Sequence, residues 1–83
     1  MTRNLPSGDI TADRRAEYAR MLSLSGDHAA AADLMAQAME LVPDWAAGWL
    51  QLGELAEKAG ETDRATAALK HVLSLDGDDV FGA

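Results

Sequence analysis

The sequence predicts an all-α fold: four helices in two antiparallel helix-turn-helix hairpins, stacked as a short α-α superhelix, or solenoid. Three observations predict it. Apolar residues recur at three- and four-residue steps, as in Trp49, Leu52, Leu55, Ala56 and Ala59, the spacing of a stripe along a helix. Turn-forming residues separate the stripes, at Gly26-Asp27, Pro43-Asp44 and Gly60-Glu61. The sequence also repeats itself at an offset of 34 residues: Ala12 falls on Ala46, Gly26 on Gly60, Ala31 on Ala65 and Leu41 on Leu75. Chemically similar pairs share that register, among them Tyr18 with Leu52, Met21 with Leu55, Met35 with Leu69 and Met39 with Leu73. A fixed period of about that length marks a helix-turn-helix array.

Residues 1–10 include Pro6-Ser7-Gly8-Asp9, polar and turn-forming, and are expected to form a disordered or extended N-terminal arm. Asp9 or Thr11 caps a first helix over about 12–25. Its apolar stripe is Tyr18, Met21, Leu22 and Leu24, with Arg14, Arg15, Glu17 and Arg20 toward solvent. After the Gly26-Asp27 turn, a second helix over about 28–41 turns Ala31, Leu34, Met35, Ala38, Met39 and Leu41 inward. Val42-Pro43-Asp44 closes a first repeat over 12–45.

The second repeat spans 46–79. Proline is excluded from a helix interior and Asp44 is a good N-cap, so the third helix starts at Trp45 or Ala46 and runs to Lys58-Ala59. Its small residues Gly53 and Ala56 let a neighbouring helix approach closely. Gly60-Glu61-Thr62-Asp63 supplies turn and cap for a fourth helix over about 64–75, with Ala65, Ala68, Leu69, Val72 and Leu73 on its apolar face. Asp76-Gly77-Asp78-Asp79 stands as the exit turn, and residues 80–83 read as the start of a further helix.

These residues resemble the tetratricopeptide repeat family. Its pattern is matched by Trp49, Leu52, Gly53, Ala65, Leu69 and Leu75 in one repeat, with Ala56 where tyrosine is usual. In the other it is matched by Ala19, Leu22, Gly26, Ala31, Met35, Ala38 and Pro43, with Arg15 in the tryptophan position. Gly77 departs from the pattern, which has proline in the exit turn. The resemblance implies a protein-binding scaffold without chemistry of its own. It also assigns Trp49 to the core. Trp45 has no slot in the pattern, so packing over the exit turn and contact with a partner both stay open for it. An alanine-rich repeat pair closing in an acidic turn is also similar to the N-terminal segment of some bacterial S-adenosylmethionine-dependent methyltransferases. That similarity implies a non-catalytic appendage of a larger enzyme, since no strand or glycine-rich βα turn is present.

Eighty-three residues allow one small domain, and the four aromatics Tyr18, Trp45, Trp49 and Phe81 give it a thin core. There is no cysteine, hence no disulfide framework or thiolate ligand. No apolar run approaches the roughly 20 residues that span a bilayer, and residues 1–6 lack the apolar core of a secretory signal. The expected location is the cytoplasm. The net charge of -7 is unevenly spread. Residues 1–26 hold four arginines against three acids, whereas residues 27–83 hold eleven acids against Lys58, Arg64 and Lys70. An acidic chain without a basic stripe repels a phosphate backbone, so nucleic acid is not an expected partner.

No catalytic, metal or cofactor site is expected. His28 and His71 lie far apart without carboxylates at ligand spacing, and read as surface histidines. In Asp76-Gly77-Asp78-Asp79 the glycine is misplaced for an EF-hand, and the required glutamate would fall beyond Ala83. His71 and Ser74 share a helix face but have no orienting acid or oxyanion hole. Glu54 and Glu57 read as a solvated face.

In the resembling family, ligands lie along the first helix of each repeat. Here those positions are Asp13, Ala16, Glu17, Arg20 and Ser23, then Ala47, Leu50, Gln51, Glu54 and Glu57. Arg20, Trp45, Leu50, Glu54 and Glu57 are the expected contacts to a peptide or partner domain, with Leu50 the sizeable apolar contact and Arg20 the cation. The acidic balance favours a basic or amphipathic peptide there. A solenoid that ends without a polar helix exposes its last stacking surface. Either a longer protein continues the array or another molecule covers the face. Leu69, Val72, Leu73, Val80 and Phe81 are accordingly expected to mediate self-association, as a symmetric homodimer.

Overall fold

The computed structural model describes residues 7–76, which form four helices: α1 (Ile10–Leu24), α2 (His28–Leu41), α3 (Ala46–Lys58) and α4 (Thr62–Asp76). No strand occurs among the described residues. α1 packs on α2 and α3 on α4, and the two hairpins join through α2 against α3. The expected all-α fold of two stacked hairpins is what the chain adopts.

The two hairpin turns are built alike, one repeat apart. Gly26 and Gly60 sit at φ +92 and +79, a region open to glycine and costly for other residues. At the first turn, the Asp27 amide donates to the Leu22 carbonyl (2.9 Å) and the Gly26 amide to Ser23 (3.0 Å). At the second, Glu61 donates to Ala56 (2.8 Å) and Gly60 to Glu57 (3.0 Å). This nested pair satisfies the last carbonyls of a helix and reverses the chain sharply. The next helix begins at once.

The N-terminal segment is tied down earlier than expected. Asp9 caps α1, its carboxylate accepting from the Ala12 amide at 2.9 Å. The Asp13 carboxylate in turn accepts from the Ser7 amide (2.7 Å) and hydroxyl (2.8 Å). Residues 7–9 are thus bonded to the first turn of α1, and the rest of the expected arm lies outside the described residues. α4 also starts earlier than expected, at Thr62. The cap of α3 differs too. Trp45 occupies the N-cap position without a side-chain cap bond, and Asp44 remains in the turn.

The core is largely alanine. Ala12, Ala16 and Ala19 of α1 meet Ala31, Ala32, Met35, Ala38 and Met39 of α2, and Leu52 and Leu55 of α3 join the same cluster. The expected stripe of α1 is therefore corrected. Tyr18 and Met21 are each 58% exposed and Leu24 is 84% exposed; only Leu22 packs against the core. Two stripes one residue apart compete on this helix. The alanine stripe wins because small side chains let the helix axes close up, which a tyrosine would hold apart. Leu41 is likewise exposed rather than inward. On α4, Ala65 and Ala68 are buried and Val72 half-buried, while Leu69 and Leu73 stay largely open.

Polar links fix the hairpins. Arg15 Nη1 donates to Gln37 Oε1 across α1 and α2 at 2.7 Å. Arg64 in the first turn of α4 pairs with Asp33 of α2 at 2.9 Å and with Glu61 at 3.4 Å. Both pairs are partly solvated, so each orients more than it stabilises.

Candidate binding cleft

α1 and α3, the first helices of the two hairpins, line a cleft of about 230 Å³. From α1 come Arg20, Ser23 and Leu24; from α3 come Gln51, Glu54, Leu55 and Lys58. The spacing explains the set. Gln51, Glu54, Leu55 and Lys58 follow at steps of three, one and three along α3, and so share one side of it.

Several of these groups are already held. Gln51 Nε2 donates to the Ala16 carbonyl at 3.2 Å, a bond between α3 and α1 that fixes the width of the cleft near that end. Ser23 Oγ lies 2.8 Å from His28 Nδ1, linking α1 to the start of α2. Arg20 Nη2 sits 3.5 Å from Glu17 Oε1, an exposed pair that exchanges readily with another anion. Lys58 lies in the last turn of α3, where the helix dipole favours a cation. Leu55 is buried, whereas Leu24 projects into solvent.

Of the residues expected to meet a partner, Arg20 and Glu54 come together in this cleft, and Leu50, Glu57 and Trp45 are not among its walls. Leu50 and Glu57 lie one turn before and after Glu54 on α3. Trp45 is half-buried and packs against the core, close over Gly48. Lys58, Leu24 and Leu55 were absent from the expected set. Lys58 follows Glu54 by four residues on one face and was legible from that spacing. Its presence puts two cations around one carboxylate, where a mixed groove with Arg20 as the single cation was expected. Of the expected self-association residues, Leu69, Val72 and Leu73 lie on α4, and Val80 and Phe81 lie outside the described residues.

Trp49 is half-buried rather than central. Its indole packs against the core cluster, stacks on the exposed His71 ring of α4, and donates from Nε1 to the Pro43 carbonyl at 2.7 Å. Among the described residues, no three histidines, aspartates or glutamates cluster as metal ligands do, and no helix is long and apolar enough to cross a membrane.

Two hairpins turned by equivalent glycines define a helical-repeat protein. The model of the tetratricopeptide repeat family matches residues 22–80, well over half of the chain. The chain belongs to that family, whose members generally bind other proteins and whose repeats are typically non-catalytic scaffolds. No curated protein and no solved structure matches it. The methyltransferase similarity therefore gains no support.

Proposed function

We propose that this chain is a cytoplasmic protein-interaction module whose α1–α3 cleft holds a short peptide segment of a partner protein. The observation that carries the reading is the cleft itself, in which the first helices of both repeats present cations, a carboxylate and leucine side chains together. At about 230 Å³ it is smaller than the roughly 300–1,000 Å³ of small-molecule pockets, which favours one or two side chains of a peptide over an enclosed metabolite. Arg20 and Lys58 take an acidic side chain, and Leu24 and Leu55 take the apolar one beside it. Leu50 and Glu57 extend the contact along α3 for a segment longer than the cleft. With few groups engaged and most of them solvated, binding is weak and falls with added salt.

The test is fluorescence anisotropy with a labelled decapeptide carrying a central Glu-Leu-Leu-Glu, against its counterpart with lysines for the glutamates. The acidic peptide is expected to bind more tightly. Lys58→Glu and Arg20→Glu should each lower its affinity about tenfold, the loss of one charge-assisted contact. Equal affinity for both peptides, unchanged by either variant, would remove the cleft from consideration.

A further inference from the structure

The internal repeat leaves exposed, on the outer helices α1 and α4, the same kind of surface that it buries between α2 and α3. Where the hairpins join, Met35 and Met39 of α2 and Leu52 and Leu55 of α3 are buried in one cluster. One repeat later, the equivalents of the two methionines are Leu69 and Leu73 of α4, which are 46% and 44% exposed. One repeat earlier, the equivalents of the two leucines are Tyr18 and Met21 of α1, exposed beside Ile10 in a shallow groove of about 380 Å³. The outer face of α4 thus copies the surface on which α3 seats, and the outer face of α1 copies the surface that does the seating. Each is an apolar patch of a kind that soluble chains normally cover.

We propose that these faces seat on each other between copies of this chain, α1 of one copy on α4 of the next, in a head-to-tail contact. The repeat register favours this pairing over a symmetric one, because only α1 on α4 repeats the α2–α3 junction. Charge does not oppose it: α4 carries Asp63 and Asp76 against Arg64 and Lys70, and α1 carries Asp13 and Glu17 against Arg14, Arg15 and Arg20. One difference limits the strength. A Cβ at Gly48 of α3 would overlap Met39 of α2, and the equivalent position of α1 holds Arg14, whose side chain keeps the two faces further apart. The contact is therefore weaker than the junction inside the chain and depends on concentration. A heterologous contact of this kind does not close on itself, so the assembly extends beyond two copies.

Sedimentation velocity on the 83-residue chain and two variants tests this. The unaltered chain should gain average mass with concentration, without a plateau at two copies. Met21→Glu, which spoils the α1 face, and Leu73→Glu, which spoils the α4 face, should each be monomeric alone. Mixed in equal amounts, they should form a one-to-one dimer that grows no further, because each supplies the face the other lacks. Tyr18→Ser and Leu69→Ser form a second pair that adds no charge, and circular dichroism confirms that each variant remains helical. An unaltered chain that stays monomeric at millimolar concentration would overturn the proposal. So would a Met21→Glu variant that dimerises alone, the mark of symmetric α4 pairing, or a mixture that remains monomeric.

Discussion

The His71 ring lies flat on the Trp49 indole, 3.9 Å between centroids and 6° from parallel, so that α3 and α4 meet through an aromatic stack. The same indole donates its N–H to the Pro43 carbonyl, so one side chain ties the second hairpin together and anchors it to the turn leaving the first. Its placement at the edge of the core is what makes both contacts possible.

Trp49→Ala should destabilise the chain by about 3 kcal/mol, the low end for truncating a packed aromatic, since the ring is only half-buried. His71→Ala should cost about 1 kcal/mol, the worth of a stacked pair. Urea unfolding of both singles and the double variant should give a coupling of about 1 kcal/mol. Strict additivity would mean that the stack contributes nothing.

The two glycines of α3 should respond in opposite directions to alanine. A Cβ on Gly48 would overlap Met39 Sδ and the Trp45 ring, so Gly48→Ala should cost about 1–3 kcal/mol as an overpacked site. A Cβ on Gly53 would meet Leu69 Cδ2 at 3.4 Å, an ordinary contact. Gly53→Ala should therefore be neutral or raise stability by up to about 1 kcal/mol, the helix-propensity gain. Leucine at position 53 would still be too large. Thermal melts of the two alanine variants decide the matter, and the same sign for both would contradict this packing.

Asp9→Ala should cost about 1 kcal/mol, because the Ala12 amide loses its cap. Asp13→Ala should loosen residues 7–9 with a smaller effect on the melt, as it releases Ser7 from the first turn. Amide hydrogen exchange at Ala12 should rise in the first variant. Unchanged exchange there would show that the cap is not formed in solution.

The turns were the most legible part of the fold. Gly26 and Gly60 mark positions that need positive φ, and no packing context is required to see that. α2 is bounded as its glycine and proline flanks imply. The inward face of α1 was not legible. Ala12, Ala16 and Ala19 carry little hydrophobicity of their own, and only the closeness of α2 explains why they, and not Tyr18 and Met21, are inside. Gly48 was hidden for a similar reason, since its need to be glycine comes from Met39 on another helix. In the cleft, Arg20, Ser23, Gln51 and Glu54 are among the positions that the family resemblance implies. Leu24, Leu55 and Lys58 each follow one of them by four residues, after Arg20, Gln51 and Glu54, and so were legible from helix spacing once those positions were set.

If a partner peptide occupies the cleft between α1 and α3 as proposed, amide chemical-shift mapping will register it at named residues. Titrating the Glu-Leu-Leu-Glu decapeptide into isotope-labelled chain should shift the amides of Arg20, Ser23, Leu24, Gln51, Glu54 and Lys58 together, on one binding curve. The amides of α4 should stay where they are. Shifts confined to α4, or to the Ile10, Tyr18 and Met21 face of α1, would contradict the claim and move the binding surface to an end of the stack.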